Sequence, residues 1–289
     1  MAETKYGKYY MEVTTTPGPG SIPMIGFESG KAFGGLPFPL SFGYSSYPQP
    51  LGVVHQRPHK HDFDQILCWF GGDPLNVGYF GAEIEFSLGE KQEKHVITRP
   101  TIVYVPKGTP HCPLNYKTVQ NTFMCLDIFL SPKYEMKEVP VEWGKQPVAK
   151  TKDETRYGKY YLENPVQQGP FTPMFMLNGE KSFGGLPLSF GWSSYPQPWP
   201  TAHEKPHAHD FDQLLCWFGG DPLNMGYLGA EIEFSMGEEQ EKHVITKPTI
   251  VYVPKGTPHC PLSYKTVYTP FVCLDIFISP KYEMKQVTK

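Results

Sequence analysis

Two short segments of this chain gather side chains suited to holding a metal ion. The run His59-Lys60-His61-Asp62-Phe63-Asp64-Gln65 offers two imidazoles and an amide oxygen at i, i+2 and i+6, all of one parity. On a single strand these three side chains would project from the same face. A third imidazole follows in Pro106-Lys107-Gly108-Thr109-Pro110-His111, where a proline- and glycine-bearing turn delivers His111 at the head of the next strand. The pattern returns as His207, His209, Gln213 and His259. A lone histidine is better read as an ordinary hydrogen-bonded residue. Three at this spacing, twice in one chain, read as two mononuclear metal centres, with Gln65 and Gln213 either as fourth ligands or as donors behind the histidines. Imidazole and amide donors are neutral, so a bound divalent ion would keep its full charge and favour an anionic or enolisable oxygen substrate.

The elements that must position these residues come in duplicate. Residues 55–115 and 203–263 align without a gap at an offset of 148, with ten differences in 61 positions. Tyr6-Gly-Lys-Tyr-Tyr returns at Tyr157, Phe33-Gly-Gly-Leu-Pro at Phe183 and Cys125-Leu-Asp-Ile-Phe at Cys273. The repeat predicts two domains, 1–145 and 146–289, joined by the polar, proline-bearing stretch Val139–Thr155. Within each repeat, runs such as Phe63–Phe70, Ala82–Leu88, Thr101–Pro106 and Phe123–Leu130 are β-branched and aromatic, and turns rich in glycine and proline separate them. No segment sustains a 3.6-residue apolar period, so the chain is expected to be all-β, a sandwich or barrel in each half.

The motifs His-x-His-x-x-x-Gln and Pro-x-Gly-x-x-His resemble the two cupin motifs, and both halves carry them. The resemblance implies two tandem double-stranded β-helix (jelly-roll) barrels, a bicupin, with the metal in each barrel mouth. Gln65 and Gln213 stand where most cupins have a glutamate. A similar histidine–glutamine pairing occurs in the bicupin isomerase of the bacilysin pathway, where the glutamine is a ligand. By this resemblance the chain is expected to be an enzyme acting on a small hydroxy, keto or phenolic substrate. A non-haem Fe(II) dioxygenase is the first expectation, with two ions per chain and Mn, Ni, Co or Zn as other choices. A non-redox isomerase, decarboxylase or C–C hydrolase or lyase is the alternative, and a ligand-binding bicupin without catalysis the second. Two intact ligand sets argue against a binding-only role.

Other residues also have types suited to chemistry. In Gly81-Ala82-Glu83-Ile84-Glu85-Phe86 two carboxylates alternate with apolar residues. If Glu83 and Glu85, with Glu231 and Glu233 in the second half, enter the barrel, they serve as general acid and base; otherwise they are solvated partners of Lys94 or Lys107. His55 and His203 would extend the site or gate its mouth, whereas His95 and His243 are expected on a hairpin surface. Phe63, Leu67 and Trp69 share the ligands' parity and are expected to line the pocket. Asp64 and Asp212 have the opposite parity, which points to turn hydrogen bonds.

Composition narrows the partners. With 26 basic and 29 acidic residues and a net charge of −3, the chain has no basic stripe to track a phosphate backbone, so nucleic acid is an unexpected partner. No run of apolar residues is long enough to span a membrane, and a cytoplasmic location is expected. Six cysteines fall three to a repeat without a CxxC pair and read as buried thiols. A small-molecule substrate is the expected partner, and a homodimer is compatible with the sequence.

Overall fold

The structure is a computed structural model that describes residues 4–140 and 155–286. Most of the expected linker, residues 141–154, lies outside the described residues. The architecture is all-β: among the described residues the helices are three-residue 3-10 turns. The strands fall close to the aromatic and β-branched runs, at Gln65–Gly71, Ala82–Leu88, Thr101–Val105 and Phe123–Phe129.

The chain divides into two compact units, Thr16–Val166 and Met1–Thr15 together with Gln167–Lys289. These limits differ from 1–145 and 146–289 because a repeat can be cut anywhere in its period. Where the terminal strands pair decides the matter. Tyr10–Glu12 pairs with Thr249–Val253, and Tyr161–Glu163 pairs with Thr101–Val105.

In the unit Thr16–Val166 one sheet of seven antiparallel strands runs in the order Tyr161–Glu163, Thr101–Val105, Gln65–Gly71, Phe123–Phe129, Ser41–Tyr47, Pro23–Glu28, Thr16–Pro17. The second sheet runs Lys137–Glu138, His59–Lys60, His111–Val119, Ala82–Leu88, Glu93–Ile97, with Gly52–His55 also paired to His111–Val119. Few sequence neighbours are sheet neighbours, which is the mark of a jelly roll. The core lies between the sheets. Leu67, Trp69, Val103, Phe123 and Cys125 from the first meet Ile84, Phe86, Leu88, Leu114 and Tyr116 from the second. Period-two alternation places Leu67 and Trp69 on the inner face, where they pack in the core between the sheets. The second unit repeats both sheets around Leu215, Trp217, Ile232, Phe234 and Tyr264.

Candidate metal centres

The segment His59–Gln65 is not one strand, contrary to the expectation from parity. His59–Lys60 belongs to the second sheet and Gln65–Gly71 to the first, so residues 61–64 turn the chain across the barrel mouth. Backbone amides hold this turn. Lys107 N–H donates to Asp64 Oδ1 (2.8 Å), Gly108 N–H to the His61 carbonyl (2.8 Å) and Leu130 N–H to the Asp64 carbonyl (2.9 Å). Asp64 is thus a turn residue, as is Asp212, which accepts from Lys255 N–H (3.1 Å). The turn Pro106–Thr109 closes with Thr109 N–H donating to the Pro106 carbonyl (3.0 Å). Gly108 takes φ +77° at its third position, which glycine adopts without strain. The next strand then starts with His111 directly opposite His59.

His59, His61 and His111 are buried, and their candidate ligand nitrogens all lie within 4.8 Å of one another; His207, His209 and His259 do the same. Ring centroids are 4.3 Å apart for His59 and His111 and 5.0 Å for His61 and His111. The Nδ1 atom of each ring faces a backbone carbonyl: Glu135 for His61 (2.6 Å), Thr109 for His111 (3.1 Å), Arg57 for His59 (3.4 Å). With Nδ1–H donating there, Nε2 is left as a bare acceptor aimed inward. Among the described residues His61 Nε2, His111 Nε2, Gln65 Oε1, His209 Nε2 and Gln213 Oε1 are buried without a partner. An unsatisfied buried polar atom costs about 1–3 kcal/mol. The clustered imidazole nitrogens make a set of lone pairs that a divalent cation satisfies, and an amide oxygen left bare in each barrel adds a candidate fourth, so the residues fit a metal.

The imidazoles are held neutral, the form that binds metal. Burial, then the neighbouring His61, lowers His59 to about 4; burial pushes His259 to about 3 and His111 well below the ordinary histidine value. Aromatic rings wall the cluster. Phe63 stacks on His61 at 4.7 Å, Tyr134 lies 5.4 Å from it edge-on, and Phe86 is 6.1 Å from His111. His55 and His203 are exposed at the rim, with rings 5.6 and 5.8 Å from His59 and His207.

Two expectations are corrected. Ile84 and Phe86 fill the core, so Glu83 and Glu85 face away from the histidines. Lys117 meets Glu83 at 2.7 Å and Glu85 at 3.5 Å, while Lys94 and Asn115 reach Glu85 at 3.2 and 3.3 Å. Partial burial raises the Glu85 carboxyl, but these donors outweigh it and hold it below its ordinary value. Glu233 likewise pairs with Lys242 and Lys265, both at 3.2 Å, and Glu231 shares its outward parity. None of the four is placed to act on a substrate at the metal centres. His95 is not a surface residue either: it is buried under Tyr161, ring to ring at 4.1 Å, and burial lowers it to about 4. His243 stacks on Tyr10 in the same way.

Asp127 and Asp275 belong to neither sequence motif, yet they touch the site residues. Asp127 Oδ1 accepts from Gln65 Nε2 at 2.9 Å, and Asp275 from Gln213 at 2.8 Å. Desolvation, opposed by the glutamine amide, raises both carboxyls to about 7. The signal was an acid within the apolar run Phe123–Phe129. Also outside both motifs is the repeated Ser-Pro-Lys-Tyr-Glu-Met-Lys at 131–137 and 279–285, which supplies Tyr134, Tyr282 and the carbonyls that orient His61 and His209. The six cysteines are buried free thiols.

No protein-family model and no curated protein sequence matches the chain. Solved structures do. Oxalate decarboxylase from Bacillus subtilis superposes with a TM-score of 0.58 at 11% identity, covering 99% of this chain and 81% of that one. The Lactobacillus farciminis oxalate decarboxylase, solved as a formate complex, gives 0.60 at 9% identity, with 99% and 90% covered. A further Bacillus subtilis structure, studied for its Mn(II) centres, gives 0.57 at 10% identity. No described helix is long and apolar enough to cross a membrane. The chain therefore has the bicupin fold, two tandem cupin-type barrels with a buried three-histidine cluster in each.

Proposed function

We propose that this protein is a metal-dependent bicupin enzyme that carries out non-redox chemistry, decarboxylation or isomerisation, on a small anionic oxygen-bearing substrate. The observation that carries the reading is the pair of buried three-histidine clusters, one in each barrel, with ring nitrogens left without partners. His59, His61 and His111 would hold one divalent ion and His207, His209 and His259 the other, with Gln65 and Gln213 supplying amide oxygens. The ion, when bound, supplies Lewis acidity toward a substrate carboxylate or carbonyl oxygen. The protein's part is to fix each imidazole tautomer through Nδ1, keep the ligands neutral and wall the site from bulk water with Phe63, Phe129, Tyr134 and Phe86.

The structural likeness to oxalate decarboxylases, one of them studied for its Mn(II) centres, supports the non-redox alternative over the iron dioxygenase. It also makes Mn(II) the first metal to try. The likeness to the bacilysin-pathway isomerase rests on the histidine–glutamine motif alone. Protein reconstituted with Mn(II) under nitrogen and offered small 2-oxo, 2-hydroxy and dicarboxylic acids is expected to turn one of them over without oxygen. Turnover only with ferrous iron and matching oxygen uptake would restore the dioxygenase reading. Ligand binding without turnover under either condition would favour a binding protein.

A further inference from the structure

A glutamine amide can be placed two ways round, and only one of them offers oxygen to a cation. In both barrels that choice is tied to a half-buried carboxyl group. Asp127 sits on Phe123–Phe129, paired with Leu67, while Phe129 is the partner of Gln65, so Asp127 and Gln65 are diagonal neighbours on the inner face. Gln65 Nε2 donates to Asp127 Oδ1 at 2.9 Å, and Gln65 Oε1 is buried without a partner. The second barrel repeats the arrangement: Gln213 Nε2 donates to Asp275 Oδ1 at 2.8 Å, and Gln213 Oε1 is buried and unpartnered.

A carboxylate offers only acceptors, so it selects the amide orientation with nitrogen toward itself and oxygen away. A carboxyl group is costly to desolvate, and its neighbours on the same face of the strand, Cys125 and Phe129, are buried and offer it no other polar partner. We infer that Asp127 and Asp275 are positioning residues that lock Gln65 and Gln213 with Oε1 toward the metal. A cation held at Oε1 favours the ionised carboxyl behind the amide, so in the metal-bound state each aspartate returns to its centre, one hydrogen bond farther out, the negative charge that a directly ligating carboxylate would have contributed. This rests on the metal reading above and adds to it what holds the fourth donor in place.

The test isolates one centre by carrying His209→Ala and His259→Ala throughout, and titrates Mn(II) alone against a competing chelator. Outer partners of ligands typically tune affinity 10–100-fold. Asp127→Asn is expected to weaken Mn(II) by about 10–100-fold while the metal-free melting temperature holds. The exchange Gln65→Glu with Asp127→Asn, which moves the charge to the ligand position and keeps a donor behind it, is expected to bring affinity back to within about tenfold of the parent. Unchanged affinity in Asp127→Asn overturns the inference. So does an exchange variant that melts like its parent and still binds weakly, because the defect would then lie in the shape of the wall. His61→Ala separates the two levels of the argument. If the parent takes no Mn(II), or if His61→Ala binds as tightly, the metal reading itself fails.

Discussion

Each clustered imidazole spends Nδ1 on a backbone carbonyl and keeps Nε2 for the site, and that division has a pH signature. Unfolded imidazoles take up protons below about 6.5, whereas burial holds His59 to about 4 and His259 to about 3. The unfolded chain therefore binds more protons in that window, and stability falls as pH drops through it. Asp127 and Asp275, raised from 3.8 to about 7, act oppositely, since their native carboxyls hold protons that the unfolded ones release. Among the described residues nine imidazoles are lowered against these two raised carboxyls. The melting temperature of metal-free protein is expected to rise from pH 4 to 6.5, and a flat or falling profile would refute the assignment of neutral buried histidines. The ligand histidines could be read from the sequence because their spacing, doubled, has few other uses. Asp127 could not, because one acid in an apolar strand looks the same whether it faces a partner or solvent.

Strand positions followed the aromatic and β-branched runs closely, while the path between strands did not. Alternation correctly put Leu67 and Trp69 inside, yet it failed for His59-x-His61-x-x-x-Gln65, because parity assumes one continuous strand and the turn at 61–64 moves the chain between sheets. The same rule left Glu83 and Glu85 open until Ile84 and Phe86 were seen to fill the core. At Gly89 φ is +84° and an added Cβ would stand 2.0 Å from the Tyr157 ring. Tyr157 opens the segment that leads into the edge strand Tyr161–Glu163. Gly89→Ala is expected to cost at least about 1 kcal/mol, from the left-handed backbone and the displaced ring together. It should lower the denaturant midpoint without changing the slope of the transition.

At the scale of the whole chain the duplication was plain, but the repeat does not mark where a compact unit is cut. Tyr161, buried in the core of the first unit, and the strand it begins lie beyond residue 145. A fragment 16–166 is therefore expected to fold and bind metal, whereas a fragment 1–145 leaves Thr101–Val105 as an open edge and should melt lower or aggregate. Calorimetry and light scattering on the two fragments compare them directly, and equal stability would mean that the edge strand is dispensable. The central claim, two buried three-histidine centres that each hold a divalent ion, is tested most directly by the metal content of purified protein and of His61→Ala, His209→Ala and the double variant. About two ions per chain are expected for the parent, about one for each single variant and none for the double, one for each cluster removed. Metal absent from the parent, or a content that ignores these substitutions, would contradict it.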